Sequence, residues 1–370
     1  MIIGVLKEIK TEENRVAMTP AGVEVLSHNR HQVLVEKNAG IGSGIDDKAY
    51  AASGAEMVKT AKEIYERAEM VMHVKEPLPE EYDLIREDQI VFTYLHLAAM
   101  KKLTTALIKS RSICIAYETI QKADGSLPLL MPMSEVAGRM SIQEGARYLE
   151  MACGGAGVLL GGVPGVEPAT VLVLGGGIVG TNAAKMACGL GAKVYVLDAS
   201  LPRLRYLSDI MPRNCFLVAS SPANIRRLIR EADVVIGSVL IPGAKAPRLV
   251  TRDMIKTMKK GSVMVDVAID QGGCFETSRP TTHTNPVYTI DGVIHYCVAN
   301  MPGAVARTST LALTNATLPY ALDIANKGWK QAMRENQEIK KGANIIKGKV
   351  VYRGVAEAFG LPLVPVDSLL

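Results

Sequence analysis

Short apolar runs recur along the first third of the chain, each followed by a stretch of helical spacing: QVLVEK from Gln32, MVMHVK from Met70, QIVFTYL from Gln89 and SICIAYE from Ser112. Strand-length runs alternating with amphipathic segments predict a parallel α/β sheet. Thr19 as N-cap, Pro20 in the first turn, and Val23 and Leu26 at helical spacing predict the first helix, which leaves Arg15 in the preceding loop. After Leu130 the texture changes. MPMSEVAGRMSIQEGARYLEM reads as one long helix capped by Ser134, and the glycine-rich GGAGVLLGGVPGV follows. A second α/β series opens with TVLVLGGG and continues through KVYVLD, NCFLVAS, ADVVIGSVL, SVMVDVAID and IHYCVAN, predicting a second doubly wound sheet. Beyond Pro302 the pattern turns helical with too few strands for a third sheet, so the C-terminal residues are expected to return to the first domain. The expected architecture is α/β, with two doubly wound lobes and a cleft between them. A Rossmann domain (131–304, with linking helix 134–151) is inserted into a discontinuous substrate domain (1–130 and 305–370).

Composition narrows the function. A chain of 370 residues, 48% hydrophobic and 21% charged, is long enough for two cores and too apolar for disorder to dominate. The net charge of +5 is spread along the chain, and 12 Tyr, 4 Phe and 1 Trp supply little base-stacking material, which argues against nucleic acid as a partner. The longest uncharged stretches are broken by glycine, so no transmembrane segment is expected. The start, MIIGVLKEIK, carries charge too early for a signal sequence, and a cytoplasmic location is expected. Six cysteines without a C-x-x-C pair fit neither a zinc site nor a disulfide framework, and no catalytic metal is expected.

Gly175, Gly177 and Gly180 form G-x-G-x-x-G directly after the strand run TVLVL and at the mouth of a helix. In that context the glycines let the backbone turn and approach a pyrophosphate, whose charge sits on free N–H groups at the helix start. Asp198 ends the next strand, 21 residues after Gly177, where a carboxylate can accept hydrogen bonds from an adenosine ribose. Arg203 and Arg205 could meet a 2′-phosphate, but Asp198 would repel it, which favours NAD over NADP. The fingerprint alone leaves a flavin open.

Four polar residues fall at loops or at the ends of strand runs, where a doubly wound fold collects ligands: Arg15, Lys75, His96 and Asp270. Arginine offers a planar fork to a carboxylate and lysine a point charge able to polarise a carbonyl, a pair that describes a 2-oxo acid pocket. Histidine can exchange a proton near neutrality while an aspartate holds an ammonium or orients a water, and the set suits oxidative deamination. Glu8, Lys10, Glu12 and Glu13 read as the solvated face of the Arg15 loop. His28 and His31 read as an exposed helix end, and His73 as packing within a strand.

The segments KEIKTEENRVAMTPAG, VKEPLPEEYDLIREDQIVFTYLHLAA, MPMSEVAGRMSIQEGARYLE, VLGGGIVGTNAAKMACGLGAKVYVLD, VDVAIDQGG and VANMPGAVARTSTLALTNATLPY together resemble the bacterial L-alanine dehydrogenases over essentially the whole chain. The resemblance implies NAD-dependent, reversible conversion of L-alanine and water to pyruvate and ammonium, usually by a homohexamer. It implies Arg15 and Lys75 as substrate ligands, His96 as acid/base and Asp270 as its helper. Ser134, Ile178, Val179, Asp198, Arg203, Ser220, Val239, Leu240, Val267, Ala268, Ile269, Val298, Ala299, Asn300 and Met301 match the family's NAD-contacting positions. ASLPRLRYL departs from the usual wording at Ser200 and Pro202. The competing readings are the NAD(H)-binding component of a proton-translocating transhydrogenase, an enzyme joining lysine to a keto acid, and an NAD-binding protein without turnover.

Overall fold

A computed structural model of the chain describes residues 1–239 and 246–370. These residues fall into two compact units, Met1–Met133 with Val305–Leu370, and Ser134–Ala304.

The strands in chain order are β1 (Ile2–Val5), β2 (Gln32–Glu36), β3 (Glu56–Val58), β4 (Met70–Met72), β5 (Ile90–Thr93) and β6 (Ile113–Ala116), then β7 (Thr170–Leu174), β8 (Lys193–Asp198), β9 (Cys215–Ala219), β10 (Val234–Gly237), β11 (Val263–Asp266), β12 (Val287–Ile290) and β13 (Val293–Tyr296), and finally β14 (Ala343–Ile346) and β15 (Lys349–Val350). The first unit holds an eight-stranded sheet ordered β15-β14-β6-β5-β4-β1-β2-β3. Its six N-terminal strands are parallel, and β14 and β15 close one edge antiparallel. Val33 to Val35, Met70 to Met72, Ile113 to Ala116 and β14 are all buried, as sheets covered on both faces require. That is why these runs read as continuously apolar and not alternating.

The second unit holds a seven-stranded sheet ordered β12-β13-β11-β10-β7-β8-β9, parallel except for β12 on β13. Counted from β7, its parallel strands run 3-2-1-4-5-6, and the parallel strands of the first sheet repeat that order. Each sheet therefore reverses direction once, between β1 and β4 in one and between β7 and β10 in the other. Loops leaving the C-terminal ends of strands at such a switch point bound a crevice.

The first helix, Pro20–His28, begins as its sequence predicts: the Thr19 hydroxyl accepts the Gly22 N–H, and Val23 and Leu26 are buried. The long helix spans Met131–Tyr148, so Ser134 is not its cap but lies in its first turn. The turn Leu127–Leu130 feeds straight into it, with the Met131 N–H donating to Leu127, and Pro132 suits the first turn because its missing N–H would be unpaired there. The division between the two units falls inside this helix.

Candidate functional site

In the first unit Arg15 follows β1, Lys75 follows β4 and His96 follows β5. All three lie on loops at the C-terminal side of the sheet beside its switch point. Lys75 and His96 do not end their strands, as their apolar runs suggest. Each lies three residues beyond the last paired residue, Met72 and Thr93. Thr93 Oγ1 donates to the Lys75 carbonyl at 2.9 Å, tying the two loops together.

Arg15 is 2% exposed. Its Nε donates to Glu13 Oε1 at 2.6 Å, Nη2 donates to Glu13 Oε2, and Nη1 lies 3.0 Å from the Met133 sulfur. Burial works against the charge, but the bond and charge of Glu13 outweigh it and hold the guanidinium above its ordinary pKa. Lys75 goes the other way: burial, then the charges of Arg15 and Lys10, lower its pKa. The charge of Arg15 is felt at both Lys75 and Tyr94. The Tyr94 hydroxyl donates to the Leu129 carbonyl, and its ring lies parallel to His96 with centroids 5.9 Å apart. Arg15 thus acts electrostatically on Lys75 and Tyr94, and Tyr94 stands beside His96. His96 has a half-exposed side chain on a left-handed backbone (φ 47, ψ 37) that few non-glycine residues adopt. Glu118 holds it there, accepting the His96 N–H at 2.6 Å and the Leu95 N–H at 3.2 Å.

Two charges that look solvated in sequence are not. Glu13 is 6% and Glu8 9% exposed, because each has a buried partner, the Arg15 guanidinium for Glu13 and the His73 ring for Glu8. Lys10, on the same loop, pairs with Glu76. His73 is not simple packing, since both its ring nitrogens face carboxylates. Glu13, Tyr94, Glu118 and Met133 touch the candidate residues, and sequence reasoning missed them. The one available signal was the spacing of Glu13 and Arg15, two residues apart in the same loop.

In the second unit the glycine turn joins β7 to the helix Ile178–Gly189. Gly175 has φ +99, and a Cβ on Gly180 would lie 1.8 Å from the Gly175 carbonyl oxygen. A Cβ on Gly177 would meet no protein atom within 4 Å, and Gly177 caps the helix with no side-chain hydrogen bond. The helix start at Ile178 and Val179 therefore presents backbone N–H groups to an open space, which is the arrangement that suits a phosphate. Asp198 Oδ2 accepts the Gly176 N–H at 2.7 Å, and Arg203 braces the same turn through the Gly176 carbonyl and Thr181 Oγ1. The Ser220 N–H donates to the Asp198 carbonyl, and Val239 would touch a Cβ on Gly175.

Asp270 lies not in β11 but in the turn Ile269–Gln271 beyond it, exposed. Val267 and Ala268 open the same loop, and the Val267 N–H donates to Gly237 at the end of β10. Buried Asp266 anchors the loop by accepting N–H groups from Ala268 and Cys274 and the Ser278 hydroxyl. Burial raises the Asp266 pKa despite those bonds. The segment Val298 to Met301 follows β13, with Asn300 left-handed at φ 61 and its carbonyl 3.2 Å from His283 Nε2. Ser134 sits one turn before Gly138, where a Cβ would lie 2.3 Å from the Val179 carbonyl oxygen. Leu240 lies outside the described residues.

Two doubly wound α/β units, one carrying a strand–glycine turn–helix cradle and the other a buried arginine with a half-buried lysine, define a Rossmann-type two-unit protein. The chain belongs to the alanine dehydrogenase/PNT family, whose N-terminal domain matches residues 4–137 and whose C-terminal domain matches residues 141–353. It is 60% identical to the protein named alanine dehydrogenase of Methanococcus maripaludis, covering 100% of both chains. A solved L-alanine dehydrogenase superposes with a TM-score of 0.95 at 51% identity, over 97% of this chain and 99% of that one. A transhydrogenase from Sinorhizobium meliloti gives 0.82 at 25% identity, over 95% and 99%. The transhydrogenase is the more distant relative. Among the described residues no helix is long and apolar enough to cross a membrane.

Proposed function

We propose that this chain catalyses the reversible oxidative deamination of L-alanine, in which alanine, water and NAD⁺ give pyruvate, ammonium, NADH and a proton. The observation that carries the reading is the 60% identity over its full length to a protein named alanine dehydrogenase. The first unit would bind the substrate and the second the cofactor. The open space at Gly177, the helix start without a side-chain cap and Asp198 fit a dinucleotide, and NAD when bound supplies the acceptor for the hydride that leaves the alanine α-carbon.

Arg15 is fixed by Glu13 along its Nε and Nη2 edge, and Nη1 faces the Met133 sulfur, a weak acceptor that the substrate carboxylate would displace. Lys75 places its charge beside the oxygen that becomes the carbonyl and stabilises it as the carbinolamine collapses. His96 takes the proton that the alanine ammonium loses before the hydride leaves the α-carbon. The iminium and water then give pyruvate and ammonium with no further net proton, His96 passing a water proton to the departing amine as the carbinolamine collapses. Asp270 orients the attacking water or the amine. Alanine is expected to be the preferred substrate, since a larger or charged side chain would be buried without partners.

The test is NADH formation by the purified protein with NAD and, separately, L-alanine, D-alanine, L-serine, L-glutamate and L-lysine. Turnover with L-alanine, reversed by pyruvate with ammonium, is expected. Silence with all five alongside measurable NADH binding would favour the transhydrogenase-like reading. A cytoplasmic homohexamer is the expected assembly, and sedimentation equilibrium measures its mass.

A further inference from the structure

His73 lies one residue past β4 and two before Lys75, and it is 2% exposed. Its Nδ1 is 3.3 Å from Glu8 Oε1, and its Nε2 is 3.3 Å from Glu81 Oε1. The Tyr65 hydroxyl lies 3.0 Å from Nε2 and donates to Glu81 Oε1 at 3.3 Å. A neutral imidazole has one N–H and would serve one of these carboxylates, whereas the imidazolium serves both. Buried carboxylates without a cation are costly, so the geometry calls for the charged ring.

The same two carboxylates also hold the main chain. Glu8 Oε1 accepts the Val74 N–H at 2.6 Å, and Glu81 Oε2 accepts the Leu78 N–H at 2.9 Å. Val74 and Leu78 bracket the segment that carries Lys75. Glu8 also stands on the loop that leads to Arg15. One buried cation therefore braces both ends of the Lys75 segment and the base of the Arg15 loop.

We propose that His73 is a positioning residue, a doubly hydrogen-bonded imidazolium that acts through Glu8 and Glu81 to fix Lys75 relative to Arg15. This rests on the reading of Lys75 as a substrate ligand. The charged and titratable groups facing the ring are Glu8 from the first loop, Glu36 from β2, Tyr65 from the helix Ala61–Arg67 and Glu81 from the turn Pro79–Leu84. Burial opposes the ring's charge, but the two glutamates outweigh it and lift the pKa to about 10, so the ring stays charged across the range of an ordinary assay.

The test compares wild type with His73→Gln. The expected result is a pyruvate KM raised about tenfold or more, with kcat and the NADH KM each within about threefold. Ring ¹⁵N shifts of wild-type His73 are expected to show both nitrogens protonated at about pH 8.5. A neutral ring, or a folded variant with an unchanged pyruvate KM, overturns the proposal. So does a uniform loss of kcat and of NADH affinity, which would mean a scaffold role only. If His73→Gln does not fold, Glu81→Gln decides: a pyruvate KM raised with kcat retained supports the clamp, and an unchanged KM overturns it. If wild type does not turn over alanine, the reading of Lys75 fails separately. The clamp is then decided by reductive methylation mapped by mass spectrometry, with exposed Lys330 as the internal control. A rate at Lys75 altered about fivefold in the variant supports the clamp, and an unchanged rate overturns it.

Discussion

Glu118 accepts the backbone N–H of His96 at 2.6 Å, and its carboxylate is 3.9 Å from the His96 Nδ1. A residue 22 positions away thus sets the backbone of the proposed acid/base, which stands in a conformation that a β-carbon disfavours. The main chain beneath the imidazole and the parallel Tyr94 ring beside it together set its place.

Glu118→Ala is expected to lower kcat about tenfold to a hundredfold, because the left-handed backbone loses the bond that offsets its strain. Glu118→Gln keeps an acceptor oxygen and should retain most of the activity. Steady-state kinetics of both variants with L-alanine check this. Equal activity of the two would show that the His96 backbone does not depend on this bond.

Arg15→Lys keeps the charge and loses the fork. Glu13, almost fully buried, would then face one ammonium in place of two parallel N–H donors. A pyruvate KM raised about a hundredfold is expected, with the NADH dissociation constant unchanged. Glu13→Ala strands the buried guanidinium and should lower the thermal midpoint more than Arg15→Lys does. Kinetics and calorimetry on the two variants read these effects separately.

The architecture was legible because it rests on local signals. Buried parallel strands leave continuous apolar runs, Thr19 and Pro20 announce a helix, and the glycine fingerprint stands between a strand and a helix as it must. The charged interior was not legible. Glu8 and Glu13 sit in a polar segment that looks solvated, and they are buried against partners that the chain brings in by folding, His73, 65 residues on, for Glu8 and Arg15 for Glu13. Glu118 holds His96 across a parallel strand pair, a relation that no spacing along the chain encodes. Ser134 misled for the opposite reason: a good capping residue followed the true helix start by three residues, and the turn before Met131 overrode it.

The buried His73 makes stability depend on alkaline pH. Its pKa rises from an ordinary 6.5 to about 10 in the folded protein, so its stabilisation is complete below 6.5 and is lost as pH climbs through 10. Between those values the unfolded chain binds fewer protons, and this group alone lowers stability by roughly 1.4 kcal/mol per pH unit. Glu81 has the opposite sign. Burial raises its pKa, but His73 and its hydrogen bonds lower it further, so its contribution is present above the ordinary carboxylate range and is lost as pH falls through the depressed value. Urea unfolding at several pH values is expected to show an alkaline decline that is shallower in His73→Gln. Parallel slopes for the two proteins would show that the ring is not charged in the fold.

Gly177 and Gly180, three residues apart in one motif, should fail in different ways. A methyl on Gly180 would lie 1.8 Å from the Gly175 carbonyl oxygen, a backbone atom that cannot step aside. Gly180→Ala is therefore expected to destabilise the second unit by about 3 kcal/mol, visible as a lowered melting temperature without any ligand. A methyl on Gly177 meets no protein atom, and its φ of −66 is one that alanine adopts freely. Gly177→Ala should fold as well as wild type, or slightly better through a less flexible unfolded chain. What it occupies is the space in front of the helix start, and NADH affinity is expected to fall about tenfold or more by titration calorimetry. A Gly177→Ala protein that melts normally and binds NADH normally would move the pyrophosphate away from this turn, and with it the assignment of Asp198 to the ribose.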